Sequence, residues 1–148
     1  MMRSEIRIAA ALAVAFLATA CSDSGTDPGD TIPRVELVAV ASAPTAPAGT
    51  IARCYTGADG ATQSANCPVI KWNNVVYWIF EYEDGRTSLN LVAFDLNENQ
   101  LSASERTGTR FLYDITVSEQ FQTVSLFGQN AIPAVVPWSV LEAAQDND

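Results

Sequence analysis

The sequence predicts a mainly β protein, a small antiparallel β-sandwich or open barrel of about six strands with a short helix at its C-terminus. Three observations support this fold class. From Pro33 onward the apolar residues recur mostly with a period of two. Turn-forming residues return at roughly ten-residue spacing, and no amphipathic run of helix length occurs before the last residues.

The first two strands are predicted at residues 34–40 and 50–55. Residues 34–40 read RVELVAV, and the following SAPTAPAG carries two prolines, which are typical of a loop or a sheet edge. Residues 50–55 lead into a loop rich in small and polar residues.

The strongest element is a hairpin over residues 75–96. Its first strand places two apolar sets on opposite faces, which predicts a strand in the middle of a sheet. One set is Val76, Trp78, Phe80 and Tyr82, and the other is Val75, Tyr77, Ile79 and Glu81. Asp84-Gly85 supplies the turn, because this pair adopts positive φ readily.

Two more strands are predicted at residues 107–117 and 121–127. In the first, alternation places Phe111, Tyr113, Ile115 and Val117 on one face. The second is expected to end at Gly128-Gln129-Asn130. A short helix is expected to begin at Pro137 or Ser139.

Two of the three cysteines are predicted to form a disulfide. Cys54 and Cys67 enclose a loop of small and polar residues. In an oxidising compartment such a crosslink contributes about 3 kcal/mol in the chain-entropy model. The rival interpretation is a metal site, but the chain has no histidine and two cysteines do not make a tetrahedral ligand set. No metal and no cofactor is therefore expected.

The third cysteine, Cys21, follows a stretch with the features of a signal peptide. Arg3 and Arg7 precede about thirteen uncharged residues, too few for a span of about twenty. Residues 17–21, LATAC, resemble the lipobox of bacterial lipoproteins, although the leucine stands one place further from the cysteine than usual. The resemblance implies cleavage before Cys21 and lipidation of its thiol. The alternative is an ordinary signal peptide cut near Ala20.

The predicted organisation is a signal peptide at residues 1–20, a lipidated flexible tether at 21–32 and a single extracytoplasmic β domain at 33–148. The tether lacks large apolar side chains. Ser22 stands where an aspartate would favour retention at the inner membrane in some lipoproteins. The resemblance therefore leans toward the outer membrane or the cell surface.

Charge excludes one class of partner. The chain has a formal net charge of −9 with eight basic residues, of which Arg3 and Arg7 lie in the leader. The remaining six cannot neutralise a row of phosphates, so nucleic-acid binding is not expected. The expected contacts are a membrane, through the lipid anchor, and an unknown envelope protein, glycan or peptide.

Catalysis is not expected, because the chain lacks histidine and a single lysine is its only amine side chain. A carboxylate hydrolase is the weaker alternative and would need two converging acids from Glu81, Glu83, Asp95 and Asp114. Glu81 and Glu83 beside the hairpin turn are more typical of a solvated sheet edge. Asp95–Asn99 resembles the start of an EF-hand loop but lacks its glycine and its last glutamate.

The function predicted from these features is a noncatalytic binding or interaction domain. Its candidate ligand-binding residues are Trp72, Tyr77, Glu81 and Glu83, since aromatic rings beside polar groups stack on sugars or peptides when exposed. Core packing is the simpler interpretation of each ring. The alternative function is a structural or assembly component that pairs through an uncovered strand at residues 34–40.

Overall fold

The computed structural model describes residues 35–58, 62–129 and 132–146, which form two antiparallel sheets followed by one helix. The prediction of a mainly β chain with a short C-terminal helix is confirmed, and all described residues fall in one compact unit. The predicted leader and tether, with Cys21, lie outside the described residues. The elements are β1 Glu36–Val40, β2 Thr50–Ile51, β3 Cys67–Trp72, β4 Val75–Tyr82, β5 Ser88–Phe94, β6 Gln100–Thr107, β7 Arg110–Ser118, β8 Thr123–Gln129, β9 Ala134–Pro137 and α1 Trp138–Gln145.

The first sheet has the order β1-β3-β4-β5-β6, and β2 pairs with the end of β4 that β3 does not reach. Ile70 lies opposite Tyr77 in the β3–β4 pair, whereas Thr50 lies opposite Tyr82 in the β2–β4 pair. The predicted hairpin is confirmed, with Glu81 opposite Leu89. The first sheet therefore brings the β2 segment to the same end of β4 as the hairpin turn.

Both faces of β4 are buried, as its two apolar sets predict. Val75, Tyr77 and Ile79 join the large core between the sheets. Trp78 and Phe80 join a second, smaller cluster, which is covered by Ala43 and Ala46 between β1 and β2 and by Ala52 after β2.

The second sheet has the order β7-β8-β9 and packs its inner face on the first sheet and on α1. The register between β7 and β8 shifts twice, between Arg110 and Leu112 and between Leu112 and Asp114. The predicted alternation in this strand is therefore wrong at its start: Leu112 points into the core and Phe111 does not. A bulge inserts a residue and breaks the period of two, which the sequence pattern did not reveal.

The helix α1 is attached to the first sheet by polar contacts as well as by its apolar face. Leu141 and Ala144 are buried against the sheets. The Tyr77 hydroxyl donates to the Leu141 carbonyl oxygen at 2.5 Å and accepts from Gln145 Nε2 at 2.7 Å. Burial raises the pKa of Tyr77 to about 12, so the hydroxyl keeps its proton at neutral pH. The one helix among the described residues is too short to span a bilayer.

The sequence predicted six strands, and the described residues contain three more. The additional strands are β3, β6 and β9. The predicted strand at residues 50–55 is shorter than expected, since regular pairing ends at Ile51 and only an isolated bridge follows at Tyr55. Gly128, expected in a closing turn, lies inside β8.

The predicted disulfide between Cys54 and Cys67 is present, with the two Cα atoms 5.6 Å apart. It joins the irregular segment after β2 to the first residue of β3. Cys54 is almost completely buried. The crosslink therefore fixes a segment that has little regular hydrogen bonding of its own.

Candidate functional site

A cleft of about 140 Å³ lies where the β4–β5 turn of the first sheet meets the start of β7 in the second. Three separate parts of the chain line it: the segment of β2 and the residues after it, the β4–β5 hairpin, and the start of β7. The lining residues are Ile51, Arg53, Glu81, Tyr82, Glu83, Gly85, Arg86, Arg110 and Phe111. The cleft thus combines charged and aromatic side chains of both sheets.

Glu81 is the buried charged group of the cleft, at 5% exposure. Its Oε2 lies 3.5 Å from Arg53 Nη1. The Tyr55 hydroxyl lies 3.3 Å from Oε1 and 3.4 Å from Oε2. The expectation that Glu81 belongs to a solvated sheet edge is therefore wrong, because the segment after β2 covers this end of β4. Glu83, two residues on, is exposed at the rim as expected.

Burial is the main cause of the pKa shift of Glu81. It raises the pKa of Glu81, while Arg53, the Tyr55 hydroxyl and Arg110 act in the opposite direction without cancelling the effect. Burial and the Glu81 carboxylate together raise the pKa of Tyr55, so its hydroxyl remains the donor. Perturbed carboxyl groups of this kind are concentrated at functional sites.

The start of β7 places an arginine and an aromatic ring side by side. The Arg110 guanidinium lies 4.0 Å from the centre of the Phe111 ring, and Arg110 Nη1 donates to the Gly85 carbonyl oxygen at 2.7 Å. Phe111 has φ of 58°, a left-handed conformation that is strained in a residue with a Cβ. This conformation coincides with the register shift in β7 and sends the Phe111 side chain to the cleft. The ring also packs edge-on against Tyr55 at 5.4 Å.

The hairpin turn forms the opposite wall. Gly85 has φ of 81°, which its lack of a Cβ permits. The Asp84 carboxylate accepts from the Arg86 backbone N–H at 3.0 Å and from Arg86 Nε at 2.8 Å. Arg86 Nη1 also reaches Glu105 on β6 at 3.3 Å. Arg86 is thus held within the turn, and its pair with Asp84 lowers the pKa of that carboxyl.

Three contacts hold the segment that carries Arg53 and Tyr55. Cys54, between them, is bonded to Cys67. The Tyr55 N–H donates to the Leu112 carbonyl oxygen at 2.8 Å, and the Cys54 carbonyl oxygen accepts from the Ser64 N–H at 2.9 Å. The segment is therefore tied to both sheets at once.

Two of the four predicted ligand-binding residues do not reach the cleft. Trp72 and Tyr77 are core residues, at 4% and 2% exposure, and Trp72 packs edge-on against Trp138 at 5.5 Å. These two rings are therefore not available to a ligand at the surface, which corrects that part of the prediction. The other two, Glu81 and Glu83, line the cleft.

The groups that other segments bring to Glu81 were missed by sequence analysis. Arg53, Tyr55, Arg110 and Phe111 lie far from the hairpin in the chain, and only the fold brings them to Glu81. The predicted disulfide between Cys54 and Cys67 was the one available signal for these groups. It indicated that the residues beside Cys54 are held in place.

The other acids do not converge on this site. Asp95 accepts from the backbone N–H groups of Asn97 at 2.8 Å and Asn99 at 2.9 Å, which lowers the pKa of its carboxyl and makes residues 95–99 a closed turn. Asp114 accepts from the Ile115 N–H at 2.9 Å. Among the described residues no group of three or more acids or cysteines is arranged to hold a metal ion. Glu81 and Glu83 share one cleft, but Glu81 is already engaged by Arg53 and Tyr55.

The raised pKa of Glu81 predicts a specific dependence of stability on pH. Between its ordinary pKa and the raised folded value, the folded chain binds more protons than the unfolded chain. This carboxyl therefore makes the free energy of unfolding fall as pH rises through that window. We expect Glu81→Gln to remove this contribution. The free energy of unfolding of the variant, relative to that of the wild type, should therefore increase with pH.

Urea denaturation at a series of pH values between about 4 and 7 measures this effect. Glu119→Gln, in the exposed β7–β8 turn, is the matched control and should follow the wild-type pH profile. A constant stability difference between Glu81→Gln and the wild type across the series would contradict the prediction.

Comparison with protein-family models, with curated proteins and with solved structures found no match to this chain.

Proposed function

We propose that the chain is an exported lipoprotein, anchored to a bacterial membrane through Cys21, whose folded domain is a noncatalytic binding module. The observation that carries this proposal is the cleft around Glu81, where polar groups of three separate segments surround one buried carboxylate. Its ligand would be a peptide, a glycan or a protein of the envelope.

The energetic cost of the Glu81 site supports binding over a purely structural role. Removing the Glu81 carboxylate from water costs free energy that its attraction to the partly exposed Arg53 repays only in part. An apolar contact between the sheets would stabilise this end of the domain at least as well. Charged groups that are kept in a cleft at such a cost are candidates for ligand recognition.

The state of Glu81 also favours binding over hydrolysis. Its two oxygens already face Arg53 and the Tyr55 hydroxyl, and the chain has no histidine to activate a nucleophile. A carboxylate engaged by fixed donors in this way is poorly placed to exchange its proton with a substrate, as a general acid must.

The sequence around Cys21 and the disulfide support export. The basic start, the uncharged run and LATAC are the features of a lipoprotein leader, and a disulfide persists in oxidising compartments. Two or more acyl chains on Cys21 give stable attachment where one would be marginal.

Site-specific photocrosslinking in intact cells tests the binding function. A photoreactive amino acid replaces Glu83 at the cleft rim and, in a matched control, Glu119 at the other end of β7. Both positions are exposed glutamates in turns. We expect one specific envelope component to be captured from position 83 and not from position 119. Equal capture at both positions, or none at 83, would overturn the proposed function.

Intact mass of the membrane-extracted protein tests the anchor. We expect residues 1–20 to be absent and the mass of acyl chains to be present at Cys21. An unmodified full-length chain would overturn this part of the proposal.

Assembly through an uncovered strand is the second candidate function. β1 is an edge of the first sheet, and its Leu37 and Val38 are 42% and 40% exposed on opposite faces. An open edge of this kind accepts a strand from a partner. A crosslink from position 37 to the partner, without one from position 83, would favour this second candidate.

A further inference from the structure

The cleft offers more unused hydrogen-bond donors than acceptors. A guanidinium has five N–H donors. Arg53 directs one nitrogen to Glu81 at 3.5 Å, and Arg110 directs one to the Gly85 carbonyl oxygen at 2.7 Å. Glu81, in contrast, already faces Arg53 and Tyr55 with both oxygens. A ligand group that fits this arrangement supplies acceptor atoms.

The cleft is lined by the carboxylates of Glu81 and Glu83 as well as by arginines, and guanidinium donors bind an anionic acceptor more strongly than a neutral one. Arg53 and Arg110 are the arginines directed at the cleft, since Arg86 is held by Asp84 and Glu105. The chain as a whole is acidic, with a formal net charge of −9. At physiological salt, however, charges further away than about 8 Å are largely screened. The groups that line the cleft therefore decide what enters, and Glu81 among them is already engaged by Arg53 while Glu83 is exposed at the rim.

The size of the cleft limits the ligand group. A cavity of about 150 Å³ holds one benzene molecule, and this cleft measures about 140 Å³. A carboxylate on a thin stem fits inside that space, whereas a hexose ring with its hydroxyls would extend out of the cleft. Arginine pairs bind a carboxylate with two parallel hydrogen bonds, which suits the planar fork of either side chain.

We infer that the cleft binds a single carboxylate group of a peptide chain, either an acidic side chain or the C-terminus, between Arg53 and Arg110. This inference rests on the proposed function and names the chemistry of its ligand. A peptide carries its carboxylate on a flexible stem that enters a small cleft, whereas an acidic sugar carries it directly on a ring. Phe111 stacks on Arg110 and keeps that guanidinium in place at the cleft.

Four small probes test the assignment by calorimetric titration of the membrane-extracted protein in detergent micelles. They are acetyl-dialanine with a free carboxylate, acetyl-dialanine amide, acetyl-aspartate amide and glucuronate. We expect at least one of the two peptide acids to bind about tenfold or more tightly than acetyl-dialanine amide, because the amide lacks the charge. Whichever acid binds more tightly identifies the C-terminus or the side chain as the source.

Variants of the two arginines provide the second test. Arg110→Gln and Arg53→Gln should each weaken binding of the peptide acid about tenfold or more. Arg110→Lys should retain only part of the binding, because an ammonium group cannot form the two parallel hydrogen bonds of a guanidinium. Lys71→Gln removes the same charge from an exposed position on β3 and should leave binding unchanged.

Glu81 distinguishes an anionic ligand from a neutral one. Glu81→Gln removes a negative charge next to the bound carboxylate and should tighten binding of the peptide acid by about threefold or more. A neutral ligand that donates to Glu81 would instead bind more weakly to this variant. Weaker binding by Glu81→Gln therefore overturns the inference.

Three further outcomes would overturn the inference: equal binding of acid and amide, no effect of both arginine variants, and tighter binding of glucuronate than of either peptide acid. These results are separable from the test of the proposed function. A partner captured from position 83 that none of the acids displaces would leave the binding function standing and reject the carboxylate.

Discussion

Replacing Gly128 by alanine should lower the free energy of unfolding by about 3 kcal/mol. A Cβ at this position would lie 2.1 Å from the Arg110 carbonyl oxygen and 2.3 Å from Thr109 Oγ1. The first contact is with backbone, and Thr109 is completely buried, so neither atom has room to move away. The strands β7 and β8 would have to separate at the point where their register shifts.

Guanidinium denaturation measures this loss as a lower midpoint. Ser125→Ala is the matched control, because it lies on the same strand, is half-buried and adds no atoms. We expect its effect to stay within about 0.5 kcal/mol. A midpoint for Gly128→Ala equal to that of Ser125→Ala would contradict the close approach of the two strands at this residue.

Loss of the Cys54–Cys67 disulfide should cost about 3 kcal/mol. The sequence separation of 13 residues between the cysteines sets the size of the closed loop, whose entropy the crosslink removes from the unfolded chain. The same loss should leave the cleft side chains less firmly positioned, because Arg53 and Tyr55 flank Cys54 and have little regular structure to hold them. We therefore expect lower stability and weaker binding of the peptide acid together.

The double variant Cys54→Ala/Cys67→Ala and reduction of the wild-type chain provide two independent measurements. Reduction keeps both side chains, so it separates loss of the crosslink from loss of buried sulfur. Denaturation midpoints should fall in both cases and by similar amounts. An unchanged midpoint on reduction would contradict a stabilising role for the disulfide.

The parts of the fold that the sequence predicted correctly have strong local patterns. In β4 the alternation continues over eight residues, and both faces are apolar until Glu81. Asp84-Gly85 marks the turn independently of the pattern. Where local signals agree in this way, the hairpin and the assignment of its faces follow without knowledge of the rest of the chain.

The strands that sequence analysis missed lack such patterns. β6 reads QLSASERT and is a largely exposed edge, so burial imposed no alternation on it. β3 is short and carries Pro68 at its second position, which is unusual in a sheet. The strand β7 was predicted, but two register shifts break its period, and Leu112 takes the place that alternation gave to its neighbour Phe111.

The candidate site was only half predictable for a related reason. Glu81 and Glu83 stand in the hairpin, and their spacing marked them as a pair. The groups that bury Glu81 come from residues 53–55 and from the start of β7, and no local rule connects these segments. Burial of a charged residue at the end of a strand depends on which distant segment covers it.

The two indole rings of Trp72 and Trp138 make the docking of α1 measurable by tryptophan fluorescence. They meet edge-on at 5.5 Å, one at the end of β3 and the other at the first residue of α1, and neither Nε1 has a hydrogen-bond partner among the described residues. The emission maximum of indole rings that are shielded from water lies at a shorter wavelength than that of hydrated indole. Detachment of α1 would expose both rings to water while Trp78 stays buried in the smaller cluster. A partial shift of the emission to longer wavelength therefore reports that α1 has left the sheets.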